Sequence, residues 1–176
     1  SFCNENIRFI NINFIINNSD AGKNLNEILD SKNKKISSEL NKIGKKLEEK
    51  KNKIVSQKNI LKKEEFDNLV KNYDKELKDF NALRKSKTEQ FNTFRVNSKK
   101  KIIDLLNPLI TSYLKKESIQ ILLQKDKIIF GDDKLDITKV ILKIFNDKHK
   151  KINFEELFID EERQIKQKGY YWVITS

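Results

Sequence analysis

Cysteine, histidine, tryptophan, proline, methionine and glycine are all scarce in this chain of 176 residues: one Cys, one His, one Trp, one Pro, no Met and four Gly. Each scarcity removes a class of explanation. Cys3 alone cannot close an intrachain disulfide, and a single thiol says nothing about compartment. His149 alone makes a histidine-based metal site or a His-containing triad hard to build, and it reads as an exposed residue in a Lys-rich linker. Too little Pro and Gly is present for a loop-rich fold. No apolar run approaches the roughly 18 residues that mark a membrane-crossing helix. A Gly-rich phosphate loop ending in Lys-Ser/Thr is also missing, so no nucleotide motif offers to drive a cycle. Carboxylates abound, but on charged helical faces with no pocket to tune them, which leaves an enzyme the least favoured class. No catalytic, cofactor-binding or metal-ligating residue is nominated. The chain starts at Ser1 rather than Met, which reads as a processed protein or a fragment, and a secretory signal could have been removed ahead of Ser1.

What the chain does have is heptad periodicity. Leu29, Ile36, Leu40, Ile43, Leu47, Ile54 and Leu61 follow an alternating three- and four-residue spacing with few gaps, and Phe66, Val70, Tyr73, Leu77, Phe80, Phe91, Phe94 and Leu105 follow the same spacing. Such a repeat winds two helices along a narrow seam and leaves most of each helix wet. The first helix is expected from Ala21 to Gln57, about 54 Å at ~1.5 Å per residue, with Ser19 or Asp20 as its N-cap. The tip is expected at about 58–64. One unbroken helix is the rival reading, set aside because the seam changes there from aliphatic to aromatic. Lys50, Gln57, Arg84, Lys87 and Ser98 interrupt the seam, and Gly44 costs roughly 1 kcal/mol relative to Ala, so the distal hairpin should fray and flex. Pro108 should kink the second helix near its end.

The charge is segregated. Residues 22–116 hold 25 Lys or Arg against 13 Asp or Glu, a net of +12, while the remainder holds 12 against 13, a net of −1. A surface of this kind attracts acidic chains, anionic lipid headgroups or nucleic acid, with strong salt dependence. Codon bias is the bland alternative, since 33 of the 37 basic residues are Lys, but bias would not explain the segregation.

The flanks read as β-structure. Ile10, Ile12, Phe14 and Ile16 alternate with Asn11 and Asn13, which predicts a half-buried strand over 7–16. Ile119, Ile121 and Leu123 alternate again, Lys125-Asp126 turns, and Lys127 to Phe130 predicts another strand. Asp136 should cap a short helix, Ile137 to Phe145, burying Val140, Ile141, Ile144 and Phe145. Three short strands and one helix are too little for a monomeric core, so a closed homo-oligomer is expected. Phe154 to Lys168 could form an acidic-then-basic helix. The aromatic end Tyr170-Tyr171-Trp172-Val173-Ile174 could dock on the body, serve as an interaction peptide or stay disordered.

The ordered set of Ile10-Asn11-Ile12-Asn13, Ser19-Asp20-Ala21-Gly22-Lys23, Leu61-Lys62-Lys63-Glu64-Glu65-Phe66, Ile121-Leu122-Leu123 through Phe130, and Asp136-Ile137-Thr138 resembles the Skp/OmpH family of periplasmic chaperones over about residues 6–147. The resemblance implies an α+β, mainly helical fold: a long antiparallel helical hairpin, or coiled-coil tentacle, on a small β-strand body that trimerises into a jellyfish shape. The body would be 1–20 with 117–147, the arm 21–116, and 148–176 an extension beyond the family pattern. The implied activity is an ATP-independent periplasmic holdase, without cofactor, for unfolded outer-membrane β-barrel proteins.

Candidate client-binding residues are Lys45, Lys46, Lys50, Lys51, Lys53, Lys71, Lys75, Lys78 and Lys85, with the off-seam apolar groups Val55 and Ile60. Leu69 and Leu83 could join them or simply widen the seam. Candidates for the trimer core are Ile10, Ile12, Phe14, Ile121, Leu123, Ile128 and Phe130. Two other functional classes remain: a coiled-coil scaffold bridging partner proteins, and a basic hairpin on an anionic membrane surface or nucleic acid. Nucleic acid is not expected as a partner, because the hairpin aromatics occupy the seam instead of offering a stacking face.

Overall fold

The computed structural model describes residues 6–158. Cys3 and the segment 159–176, including Tyr170 to Ile174, lie outside the described residues. The elements run β1 (Ile7–Ile10), α1 (Ile12–Asn18), α2 (Asp20–Gln57), α3 (Lys63–Lys116), β2 (Ile121–Gln124) and α4 (Thr138–Lys148), with single 3-10 turns at Lys125–Lys127, Asp133–Leu135 and Glu155–Leu157. The fold is mainly helical, with two long helices and one small strand pair. Its described residues divide into two compact units, one of 6–29 and 94–158, the other of 30–93. The divisions fall inside α2 and α3, so the first unit takes in helical stretches that belong to the arm by sequence.

In the first unit, β1 and β2 pair in parallel, Ile7 opposite Ile121 through Ile10 opposite Gln124. The strand expected over 7–16 stops at Ile10. Asn11 turns the chain, its Oδ1 accepting from the Phe14 N–H at 2.9 Å, and such a cap starts a helix in place of a continued strand. Ile12, Ile15, Ile16 and Ser19 then share one helical face, with Ile15 and Ile16 buried and Phe14 exposed. The strand expected over Lys127–Phe130 is likewise absent from the described chain. A 3-10 turn ends at Lys127, and Ile129 and Phe130 stand open to solvent.

The junction between α1 and α2 explains the Ser-x-x-Gly-Lys motif. Ser19 is fully buried, and its Oγ accepts from the Gly22 N–H at 3.0 Å. Gly22 is held so close to the preceding helix that a Cβ there would lie 1.7 Å from the Ile16 carbonyl oxygen. The Asp136-Ile137-Thr138 motif ties α4 to β1. Asp136 Oδ1 accepts from the Thr138 N–H at 2.9 Å, the Ile137 N–H donates to the Phe9 carbonyl at 3.0 Å, and Thr138 Oγ1 accepts from the Asn11 N–H at 2.8 Å. Thr138, Ile141 and Phe145 form the buried stripe of α4, while Val140, expected inside, is exposed.

The first unit's core is larger than its strands suggest. Leu25 of α2, Phe94, Ile102, Leu106, Leu109 and Ile110 of α3, and Ile141 and Phe145 of α4 cluster with Ile10, Ile15 and Ile16. Residues past α4 join it: Ile152 and Phe154 are buried. His149, expected to be exposed, is half-buried with its ring 5.2 Å from Phe145. The helix expected from Phe154 to Lys168 is only a 3-10 turn where it is described, followed by extended backbone at Phe158. Helix α3 continues through Pro108, which sits with Asp104 on an exposed face where water can satisfy the freed carbonyl. At its end the Ile119 N–H reaches back to the Leu114 carbonyl, and Ser118 takes φ 52°, a left-handed helix stop more often built on Gly.

Candidate interaction surfaces

In the second unit, α2 and α3 form a helical hairpin closed at residues 58–62, where the Ile60 and Leu61 N–H groups both donate to the Gln57 carbonyl. The helices run antiparallel: Glu39 meets Lys87 at 3.1 Å, Gly44 faces the Phe80 ring, and Lys50 meets Glu76 at 2.5 Å. Two of the polar residues expected to weaken the seam, Lys50 and Lys87, are therefore half-buried and paired across it with acids on the facing helix. The seam itself is shallow. Leu47 and Ile54 are buried, but Ile36, Leu40, Ile43, Tyr73 and Phe80 are only half-buried and Leu77 is exposed.

That shallowness leaves a groove of about 370 Å³ between the helices, floored by Ile43, Leu47, Phe80 and Leu83, with Lys46, Lys50, Glu76 and Asp79 at its rim. Sequence periodicity assigns most of these apolar groups to a closed seam, so the opening itself was not visible; the half-seam position of Leu83 was the one hint. Of the lysines singled out by sequence, Lys46 and Lys50 line this groove. Lys45, Lys51 and Lys53 are exposed on α2 outside it, and Lys85 is exposed and 3.9 Å from Glu89. Lys71, Lys75 and Lys78 share another face of α3 with Val70, Asp67 and Asp74. Val55 and Ile60 are exposed, at 63% and 79%, near the tip. Leu69 and Leu83 are half-buried, as a widened seam requires. The candidate lysines are thus a dispersed field with acids interleaved. Residues 30–93 hold 18 Lys or Arg against 11 Asp or Glu, a net of +7, and the parts of 22–116 in the first unit supply the other +5.

The first unit carries a second surface. Ile121 and Leu123 on β2, then Ile129 and Phe130, are exposed, as is Phe14. Ile12 and Ile128 are half-buried. Ile10, nominated for an interface between chains, is instead 1% exposed inside its own core. Ile129, missed in the sequence, is fully exposed as well, and the signal was there in the run Ile128-Ile129-Phe130. Between β2 and this run in the sequence, Lys125 Nζ meets Asp136 Oδ2 at 2.6 Å and lies 5.6 Å from the Phe9 ring centre. Burial works to raise the Asp136 carboxyl, but hydrogen bonds from Lys125 and Thr138 and the Lys125 charge outweigh it and hold it below the usual range. The Lys125 ammonium is raised, first by its hydrogen bond to Asp136 and then by that carboxylate's charge.

Among the described residues no group of three or more His, Cys, Asp or Glu is placed to hold a metal ion, and no helix is long and apolar enough to cross a membrane. What the arrangement offers is surface: an apolar groove with a charged rim, a basic hairpin and an unpaired apolar strand edge. A family model described as "Outer membrane protein (OmpH-like)" matches residues 6–145. The chain belongs to the OmpH-like family. The match spans every element from β1 into α4. The OmpH-like fold is also seen in the crystal structure of a protein from Caulobacter crescentus CB15, described there as OmpH-like. It superposes with a TM-score of 0.77 at 11% identity, covering 87% of this chain and 90% of that one. No curated protein matches this OmpH-like chain.

Proposed function

We propose that this OmpH-like protein is a periplasmic holdase chaperone. It binds unfolded outer-membrane β-barrel proteins without ATP and keeps them from aggregating, between basic helical arms of a homotrimer. The observation that carries this reading is the hairpin groove, with apolar Ile43, Leu47, Phe80 and Leu83 beneath a charged rim and a field of exposed lysines around it. An unfolded β-barrel chain alternates apolar and polar residues and offers both kinds of contact. Weak apolar contacts multiplied over several arms retain it, and the basic field speeds its capture.

The trimer rests on the first unit's open edge. Ile121 and Leu123 on a strand with a single described partner, and Ile129 and Phe130 shortly after it, are exposed apolar groups that call for burial against other copies. In this reading Lys127–Phe130 becomes a strand only when a neighbouring copy supplies its partner.

A scaffold that bridges folded partners would need the groove only as a passive seam. An anionic membrane surface remains a secondary partner of the same lysines. Purified protein should sediment as a trimer and suppress aggregation of an unfolded β-barrel at low salt with no nucleotide present. A monomer, or unaltered aggregation, contradicts the proposal.

A further inference from the structure

The chain continues past the family match, and its continuation is built in. Ile152 and Phe154 are buried in the first unit's core. Phe158 stands edge-on to Phe94 of α3, ring centres 5.4 Å apart. Lys101 Nζ donates to the Asn153 carbonyl at 2.9 Å and pairs with Glu156. These contacts fix the chain up to Phe158 and set where the remaining 18 residues, 159–176, begin: against Phe94.

The hairpin groove draws on the same helix. Leu83 precedes Phe94 by eleven residues, about 17 Å at helical rise. The twelve residue steps from Phe158 to Tyr170 can span about 40 Å when extended. The tail is therefore long enough to bring Tyr170–Ile174 to the groove with slack. Its chemistry fits as well. Tyr170-Tyr171-Trp172-Val173-Ile174 is an apolar aromatic run, and the stretch before it carries Asp160, Glu161 and Glu162, then Lys166 and Lys168. The groove has an apolar floor and a rim of both signs.

We propose that Tyr170–Ile174 is the groove's built-in occupant, docking on the hairpin of its own chain and competing with the client. The competition rests on the holdase reading above; the docking does not. Tethering raises the local concentration of the segment to the millimolar range, so a weak contact keeps the groove filled. A client engaging several arms still displaces it.

Trp172 is the only tryptophan, so its fluorescence reports the tail alone. In the full-length protein its emission should be blue-shifted relative to a synthetic peptide of residues 159–176 and shielded from an aqueous quencher, independently of protein concentration. Leu83→Lys in the groove and Val173→Asp in the tail should each restore the peptide's emission and quenching, with far-UV helicity unchanged. Val173→Asp leaves the hairpin's own residues intact, so it separates lost docking from a damaged hairpin. Peptide-like emission in the full chain, or a blue shift that neither variant moves, overturns the docking. Truncation after Phe158 should tighten binding of an unfolded β-barrel. A docked tail whose removal leaves client binding unchanged overturns the competition, whereas failure of both full-length and truncated protein to hold any client overturns the holdase reading instead.

Discussion

Two glycines on α2 show how far apart the same residue type can stand. Gly22 is packed against backbone, and a methyl group there would meet the Ile16 carbonyl at 1.7 Å. Gly22→Ala should destabilise the protein by roughly 3 kcal/mol or more, read as a fall in the denaturant midpoint. At Gly44 the nearest atom to an added Cβ is Phe80 Cζ at 3.8 Å, an ordinary contact. Gly44→Ala should therefore stabilise the hairpin by about 0.5–1 kcal/mol, through helix propensity alone. Ser98 is a third case: fully buried in α3, with an Oγ that finds no partner. An unsatisfied buried hydroxyl costs about 1–3 kcal/mol, so Ser98→Ala should raise the midpoint, and a clear loss of stability would show a partner for that hydroxyl.

At the scale of elements, the Asp136 knot joins α4 to β1 and gives a pH dependence whose sign can be worked out. The Asp136 carboxyl is depressed in the folded protein, so its contribution is present above the unfolded value of about 3.9 and is lost as pH falls through the folded value. The raised Lys125 ammonium contributes below its unfolded value of about 10.4 and stops as pH rises through the folded one. Asp136→Asn should lower the melting temperature most between these limits, and the difference from wild type should shrink below about pH 4. The same scale shows what could be read in advance. Ser19 and Asp20 mark the start of α2, and the change of seam near Lys58 marks the turn, because caps and heptads act locally. Residues 12–16 misled because Ile12, Ile15 and Ile16 satisfy a helical spacing while Ile10, Ile12, Phe14 and Ile16 satisfy a strand spacing. The Asn11 cap decides between them. The groove was hidden for a different reason: periodicity says which residues face the other helix but not how closely the helices approach.

At the scale of the whole molecule, the surfaces that one chain leaves uncovered matter most. Ile129 and Phe130 are apolar, adjacent and open, and the double change Ile129→Asp with Phe130→Asp should leave a folded but monomeric protein by analytical ultracentrifugation. A trimer that tolerates both charges would place the interface elsewhere. The lysine field should speed client capture at low salt and lose that advantage as the Debye length shrinks from about 10 Å at 0.1 M to about 3 Å at 1 M. The most direct measurement of the central claim is light scattering from an unfolded outer-membrane β-barrel diluted out of denaturant, with and without this protein and with no nucleotide. Scattering should be suppressed near stoichiometric trimer, and the suppression should weaken as salt rises. Scattering that develops unchanged at low salt with an intact trimer present would contradict that claim.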